Sequence, residues 1–349
     1  MTTSIALPDW PRACGTPSAS ASIRCCAEDF RVDEELGFAA DGEGEHLLIK
    51  LRKRNRNTDQ VARQLARHAG VRARDVSYCG LKDRIAVTTQ WFSIWLPGKP
   101  DPDWSDLQDD DLQILAQARH RRKLPRGALR ANHFTLVLRD VQGDHAELEQ
   151  RLVTVKEQGA PNYFGEQRFG RGGSNLQAAA AMFAGRKIKD RHLRGLYLSA
   201  ARSFLFNEVL AVRVRQSNWN QVLPGEALQL TGSHSYFVAN EIDDEIIRRH
   251  AEADVQPTGP LWGRGELPSQ LDVRAMETAA LAGQGLFREG LEKAGLKQER
   301  RALGLSMENM HWQWLPGGSL QENHLQLVFS LPAGCYATSV LRELVNSRD

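Results

Sequence analysis

Gly80-Leu-Lys-Asp-Arg-Ile-Ala-Val-Thr-Thr-Gln-Trp91 joins a charged, glycine-led loop to a run of β-formers. Val87 to Leu96 carries Val, Thr, Trp, Phe and Ile, which suit a half-buried pleat and predict a strand. Tyr78 to Arg84 lies between strand-like stretches and reads as a loop, where catalytic groups often sit on a rigid scaffold. Gly80 permits a tight turn there. Lys82 and Arg84 flank Asp83 with positive charge, which keeps a carboxylate ionised. An ionised Asp can act as nucleophile or general base. Read by itself, the same pattern is more often a surface hairpin loop with a local ion pair.

Working outward, strands are predicted at Phe30 to Asp33, His46 to Leu51, His133 to Leu138 and His324 to Leu331. Helices alternate with them. Asn57 and Thr58 offer a cap for a helix whose Val61, Leu65 and Ala69 share one face, and Gly70 stops it. His145 to Gln158 and Thr338 to Val345 read as further helices. From about Pro161 to Gly304 the texture changes to alanine-rich helical stretches and glycine-rich loops. Leu198 to Arg215 is a helix candidate there, and the segment beginning Gln256-Pro-Thr-Gly-Pro is loop-like. This pattern predicts a helix-rich domain inserted into an α+β domain. The first ~20 residues, rich in Ser, Ala and Pro, read as weakly ordered.

The chain has 349 residues, enough for about two domains, with 41% hydrophobic and 25% charged residues. It has no run of ~18 apolar residues and no basic-then-apolar leader, so neither a membrane span nor a secretory signal is expected. Five cysteines without regular spacing argue against a disulfide framework and for a cytoplasmic chain with free thiols. HExxH and CxxC are absent, as are GxxxxGK[ST] and GxGxxG, so no metal or nucleotide cofactor is expected. Net charge is only +2, but basic residues cluster at Lys50 to Arg56 and at Arg119 to Arg130, with an acidic run from Asp101 to Asp111 between them. Such blocks suit a phosphate-tracking surface, and they equally suit solvated loops.

Two other segments carry functional side chains. Pro161 to Asn175 mixes aromatics, arginines and glycines, which can stack on bases and pair with phosphates, or can simply pack a core around Tyr163, Phe164 and Phe169. Pro332 to Leu344 reads as strand, turn and helix, with Thr338 or Ser339 as the cap and Tyr336 near the helix N-terminus. A plain capped helix is the simpler reading.

Taken together, these segments resemble one family. Gly80 to Trp91 is similar to the GxKDxxAVTxQ motif of the TruD family, tRNA pseudouridine synthase D, and Asn162-Tyr-Phe-Gly-Glu-Gln-Arg-Phe-Gly170 to its NYFGxQRFG motif. Glu28 to Val32, Asp41 to His46, Arg119 to Leu124, Asn132 to Phe134 and Ala333 to Leu344 match in the same order. The resemblance implies a pseudouridine synthase catalytic domain, a mixed and mainly antiparallel sheet flanked by helices, at 1–157 plus 307–349. It implies an inserted helix-rich α/β TRUD domain at 158–306, the two domains forming a cleft for RNA.

The implied reaction converts uridine at position 13 of tRNA to pseudouridine without cofactor or metal. The enzyme is expected to be a cytoplasmic monomer. By the motifs, Asp83 falls on the catalytic aspartate. Phe30, Asn132 and Tyr336 fall on positions that bind the uridine, and Phe134 on one that stacks on the base. Arg24 falls near a basic position that pairs with the aspartate. Arg121, Arg122, Lys123, Lys82 and Arg168 are expected to contact RNA. The family has Phe where this chain has Tyr336, whose hydroxyl then needs a partner. A non-catalytic RNA-binding protein on the same scaffold would share the basic blocks but would not need Asp83.

Overall fold

The computed structural model describes residues 6–316 and 323–348. They form two compact units: Ser18–Leu148, Met307–Gly334 and Val345–Asp349 make one, and Met1–Pro17, Glu149–Ser306 and Cys335–Leu344 the other. Residues 6–17, 149–157 and 335–344, expected with the flanking domain, thus group with the segment expected as an insertion. The cause is local packing. Trp10 and Tyr336 both join the core of that unit.

The first unit is built on a 10-stranded sheet. In chain order its strands are β1 (Ser20–Ile23), β2 (Phe30–Leu36), β3 (His46–Arg54), β4 (Val76–Tyr78), β5 (Val87–Trp95), β6 (Leu112–His120) and β7 (Leu129–Gln142), then Glu308–Pro316, Asn323–Pro332 and Asn346–Arg348. The main path runs Glu308–Pro316, Asn323–Pro332, β7, β2, β5, β3, β6. β2 is parallel to β5, and β1 to Asn346–Arg348, while the other pairings are antiparallel.

Alternation sets the core. Leu47, Ile49 and Leu51 of β3 are fully buried and pack with Phe92 and Ile94 of β5 against α1 (Thr58–His68). α1 supplies Val61 and Leu65, four residues apart on one face, with Ala62 and Ala66. Gly70 follows with a φ of +60°, where glycine alone is unstrained, and the helix stops. The start of α1 differs from expectation. Asn57 makes no side-chain cap bond. The Thr58 hydroxyl instead donates to Gln90 Oε1 at 3.0 Å and accepts from the Lys82 amide at 3.1 Å. Tertiary partners have taken the hydroxyl from its local role.

The second unit centres on the helix Arg191–Arg215, which starts earlier than expected and buries Phe204, Leu205, Phe206, Val209 and Leu210. Its four-stranded sheet orders Tyr236–Ala239, Glu226–Leu230, Val255–Leu261 and Glu299–Ala302. Val255–Leu261 corrects the loop expected from its prolines. Residues 255–257 pair with one neighbour and 258–261 with the other, so each half has a free edge that tolerates a missing N–H. Gly259 permits the close approach: a Cβ there would lie 3.1 Å from the Phe206 ring. Disorder near the N-terminus is corrected as well. Trp10 is buried against Tyr163 and Phe169, and its Nε1 donates to Glu208 at 2.7 Å. One large aromatic outweighs the Ser/Ala/Pro composition around it.

Candidate active site

Register assembles the site within the sheet unit. Val32 of β2 pairs with Phe134 of β7, and Glu34 with Asn132. Side chains alternate, so Phe30, Asn132 and Phe134 share one face. The Phe30 and Phe134 rings meet edge-on at 6.2 Å, and Phe134 stacks on Phe329 at 5.4 Å. Asn132 is buried, and its Oδ1 has no hydrogen-bond partner among the described residues. A buried amide oxygen left unpaired is disfavoured by about 1–3 kcal/mol unless a ligand supplies a donor.

Asp83 stands beside this face on the loop before β5. Arg24 Nη2 donates to its Oδ2 at 3.1 Å. The Asp83 side chain stays 45% exposed, so the carboxylate is both paired and reachable. Arg24 also lies over the Phe30 ring at 4.3 Å. Its backbone φ is 61°, a left-handed conformation of the kind that clusters at functional sites. Gly80 is not the tight-turn residue expected: its φ is not left-handed, and a Cβ there would meet open space. Its carbonyl accepts from Gln90 Nε2 at 3.2 Å, which fixes the loop instead.

Beneath the loop lies a buried polar layer. Lys53, Thr58, Gln90 and Glu34 are all buried. Lys53 Nζ donates to the main-chain carbonyls of Arg56 at 2.7 Å and Asp83 at 3.2 Å. Burial pushes the Lys53 ammonium down to about 8, against the pull of Asp83. Glu34 accepts from the Trp91 amide at 2.9 Å and from Lys82 Nζ. Lys82, expected at RNA, therefore points inward, its side chain only 11% exposed.

The basic blocks are partly neutralised. Arg54 pairs with Glu28 and Asp111, and Arg56 with Asp109 of the acidic run. Arg121 pairs with Glu43, and Lys123 donates to the Arg74 carbonyl at 3.2 Å. Arg122 is exposed. Between α1, β4 and the segment after β6 a cavity of about 470 Å³ is lined by Asp59, Arg63, Tyr78, Lys123 and Arg126 among others.

In the other unit, Arg168 donates to the Tyr336 hydroxyl and, at 3.1 Å, to Ser199. The hydroxyl that replaces the family's Phe edge thus has its partner. Tyr163 and Phe169 are buried in the core, as the packing reading of Pro161 to Asn175 has it. Neither expected cap of Ala337–Leu344 acts as one. Ser339 Oγ donates to the Tyr163 carbonyl at 2.7 Å, and Thr338 Oγ1 is buried with no partner among the described residues. Sequence reasoning overlooked Phe329, Glu34 and Lys53. Lys53 was legible, because it continues the inward row Leu47, Ile49, Leu51.

The family model described as tRNA pseudouridine synthase D matches residues 12–189 and 175–344. The tRNA pseudouridine synthase D of Nitrosococcus oceani is 54% identical over 335 residues, covering 95% of this chain and 92% of the relative. That of Methylococcus capsulatus is 49% identical, covering 97% and 94%. A solved structure from Methanosarcina mazei assigned to tRNA pseudouridine synthase D shares the fold at a TM-score of 0.74 and 22% identity, covering 97% of this chain and 96% of that one.

Proposed function

This chain belongs to the tRNA pseudouridine synthase D family, and from that premise we propose that it isomerises uridine to pseudouridine at position 13 of tRNA with Asp83 as the catalytic carboxylate. The observation that supports the reading is Arg24, which pairs with Asp83 and lies over Phe30, whose ring meets Phe134 on the sheet face that also carries Asn132, its Oδ1 unpartnered among the described residues. The reaction breaks C1′–N1, turns the base and forms C1′–C5, with C5 giving up its proton and the freed N1 taking one up. No electron or phosphoryl donor enters that balance. Asp83 serves by attack at C1′, by attack at C6, or by taking the C2′ proton.

The uridine must first leave its stack, at a cost of a few kcal/mol. Phe30 and Phe134 offer replacement contact. Asn132 Oδ1 suits the uracil N3–H, the donor that the buried oxygen lacks. For Tyr336 the assignment to uridine rests on the family motif. Arg122 and the cavity lined by Arg63, Lys123 and Arg126 are the surfaces we assign to tRNA phosphates. Arg121 and Lys123 join them only by giving up Glu43 and the Arg74 carbonyl. We assign residues 1–157 plus 307–349 to the catalytic domain and 158–306 to the inserted domain by sequence, with 6–17, 149–157 and 335–344 packing in the second compact unit, and the chain to a cytoplasmic monomer. No described helix is long and apolar enough to cross a membrane.

Tritium release from tRNA carrying C5-labelled uridine tests the assignment. Asp83→Asn should abolish release while tRNA affinity stays near wild type. Near-wild-type release from that variant would overturn it. Mapping pseudouridine in tRNA from cells with and without the gene checks position 13.

A further inference from the structure

Lys53 occupies a place where strand alternation calls for an apolar side chain. It follows Leu47, Ile49 and Leu51 in β3, pairs with Thr88 and Leu112 on the neighbouring strands, and is fully buried. The charged groups facing it are Asp83, Lys82 and Glu34. Its contacts with hydrogen-bond acceptors are main-chain carbonyls, one of them that of Asp83.

We propose that Lys53 is a positioning residue for the reaction, fixing the main chain of Asp83 so that the carboxylate keeps a single orientation toward the uridine. The inference rests on Asp83 being the catalytic carboxylate. It works with two further clamps on the same loop: Thr58 takes the Lys82 amide, and Gln90 gives to the Gly80 carbonyl. Residues 80, 82 and 83 are thereby each held through the backbone, leaving the Asp83 side chain exposed. Fold stability does not require the charge, because replacing a buried ion with an apolar residue of similar size is often neutral or stabilising. The loop does require it: without Lys53 the Asp83 carbonyl loses its buried donor.

Lys53→Met, which keeps the length of the stem and removes the charge, separates the two roles. Single-turnover tritium release at saturating tRNA should fall about 10- to 100-fold, the usual consequence of a misplaced reacting group. The tRNA dissociation constant should stay within about twofold, and the melting temperature should be unchanged or higher. A wild-type rate would overturn the proposal. So would equal losses of rate, affinity and stability, which would mark a purely structural role. If Lys53→Met does not fold, Lys53→Gln stands in. Its shorter side chain cannot bridge both carbonyls, so a wild-type rate there would again overturn the proposal. Asp83→Asn is measured alongside. Retained release in that variant removes the reading of Asp83 itself, whereas lost release there with a wild-type rate in Lys53→Met removes only the positioning role.

Discussion

Lys53 ties folding to pH in a direction opposite to that of a salt-bridged lysine. Burial lowers its ammonium from the ordinary 10.5 to about 8 in the folded chain. Below about 8 both folded and unfolded chains hold the proton, and the desolvation penalty is felt in full. Between about 8 and 10.5 the folded chain has shed the proton that the unfolded chain still binds. Stability from this group therefore rises with pH across that window. Urea unfolding at pH 7.5 and 9.5 should show this rise, by about 1–3 kcal/mol, at 1.36 kcal/mol per unit. Lys53→Met should show a flatter dependence, and an equal rise in both proteins would refute the assignment. The neighbouring residues obey simpler rules. Arg24 is held by Asp83 on one side and the Phe30 ring on the other, and its planar guanidinium suits both contacts.

Among the elements, α1 bears most directly on the site, because it packs the strands that carry Lys53 and Gln90. Leu65 is fully buried between them. Leu65→Ala should lower unfolding free energy by about 2–5 kcal/mol, read from the urea midpoint at unchanged slope. A loss under about 1 kcal/mol would mean that α1 is not a keystone of this core. Elements of this kind were legible in the sequence because periodicity and burial coincide in them. β2, β3, β5 and α1 all follow their apolar patterns. Legibility failed where a distant contact decides the outcome. Val255–Leu261 is a strand because two different neighbours each take half of it. Thr58 does not cap α1 because Gln90 and the Lys82 amide take its hydroxyl. The site itself divides the same way. Family motifs pointed to Asp83, Phe30, Asn132 and Phe134, whereas the polar layer beneath Asp83 is spread over β2, β3, α1 and β5 with no local motif.

For the whole molecule, a net charge of +2 gives little long-range attraction to RNA, so local clusters must supply it. Among the described residues Arg122 has no carboxylate partner of the kind that Arg121 has in Glu43. Arg122→Glu should weaken tRNA binding and lower the salt slope by roughly 1, and Arg121→Glu should do less. Filter binding at several salt concentrations tests this, and equal slopes in all three proteins would exclude Arg122 from the interface. The division of the chain has one more consequence. The sheet unit needs Asn346–Arg348 beside β1, and the other unit needs 335–344 in its core. The core around Tyr336 and the edge pairing of β1 with Asn346–Arg348 can be completed only when nearly all of the chain has left the ribosome. For 349 residues made at about 5–20 per second, roughly 15–70 s pass with unfinished, sticky surfaces on display. Apolar surface left open over such an interval, while the closing pieces are still being translated, is the kind that chaperones cover.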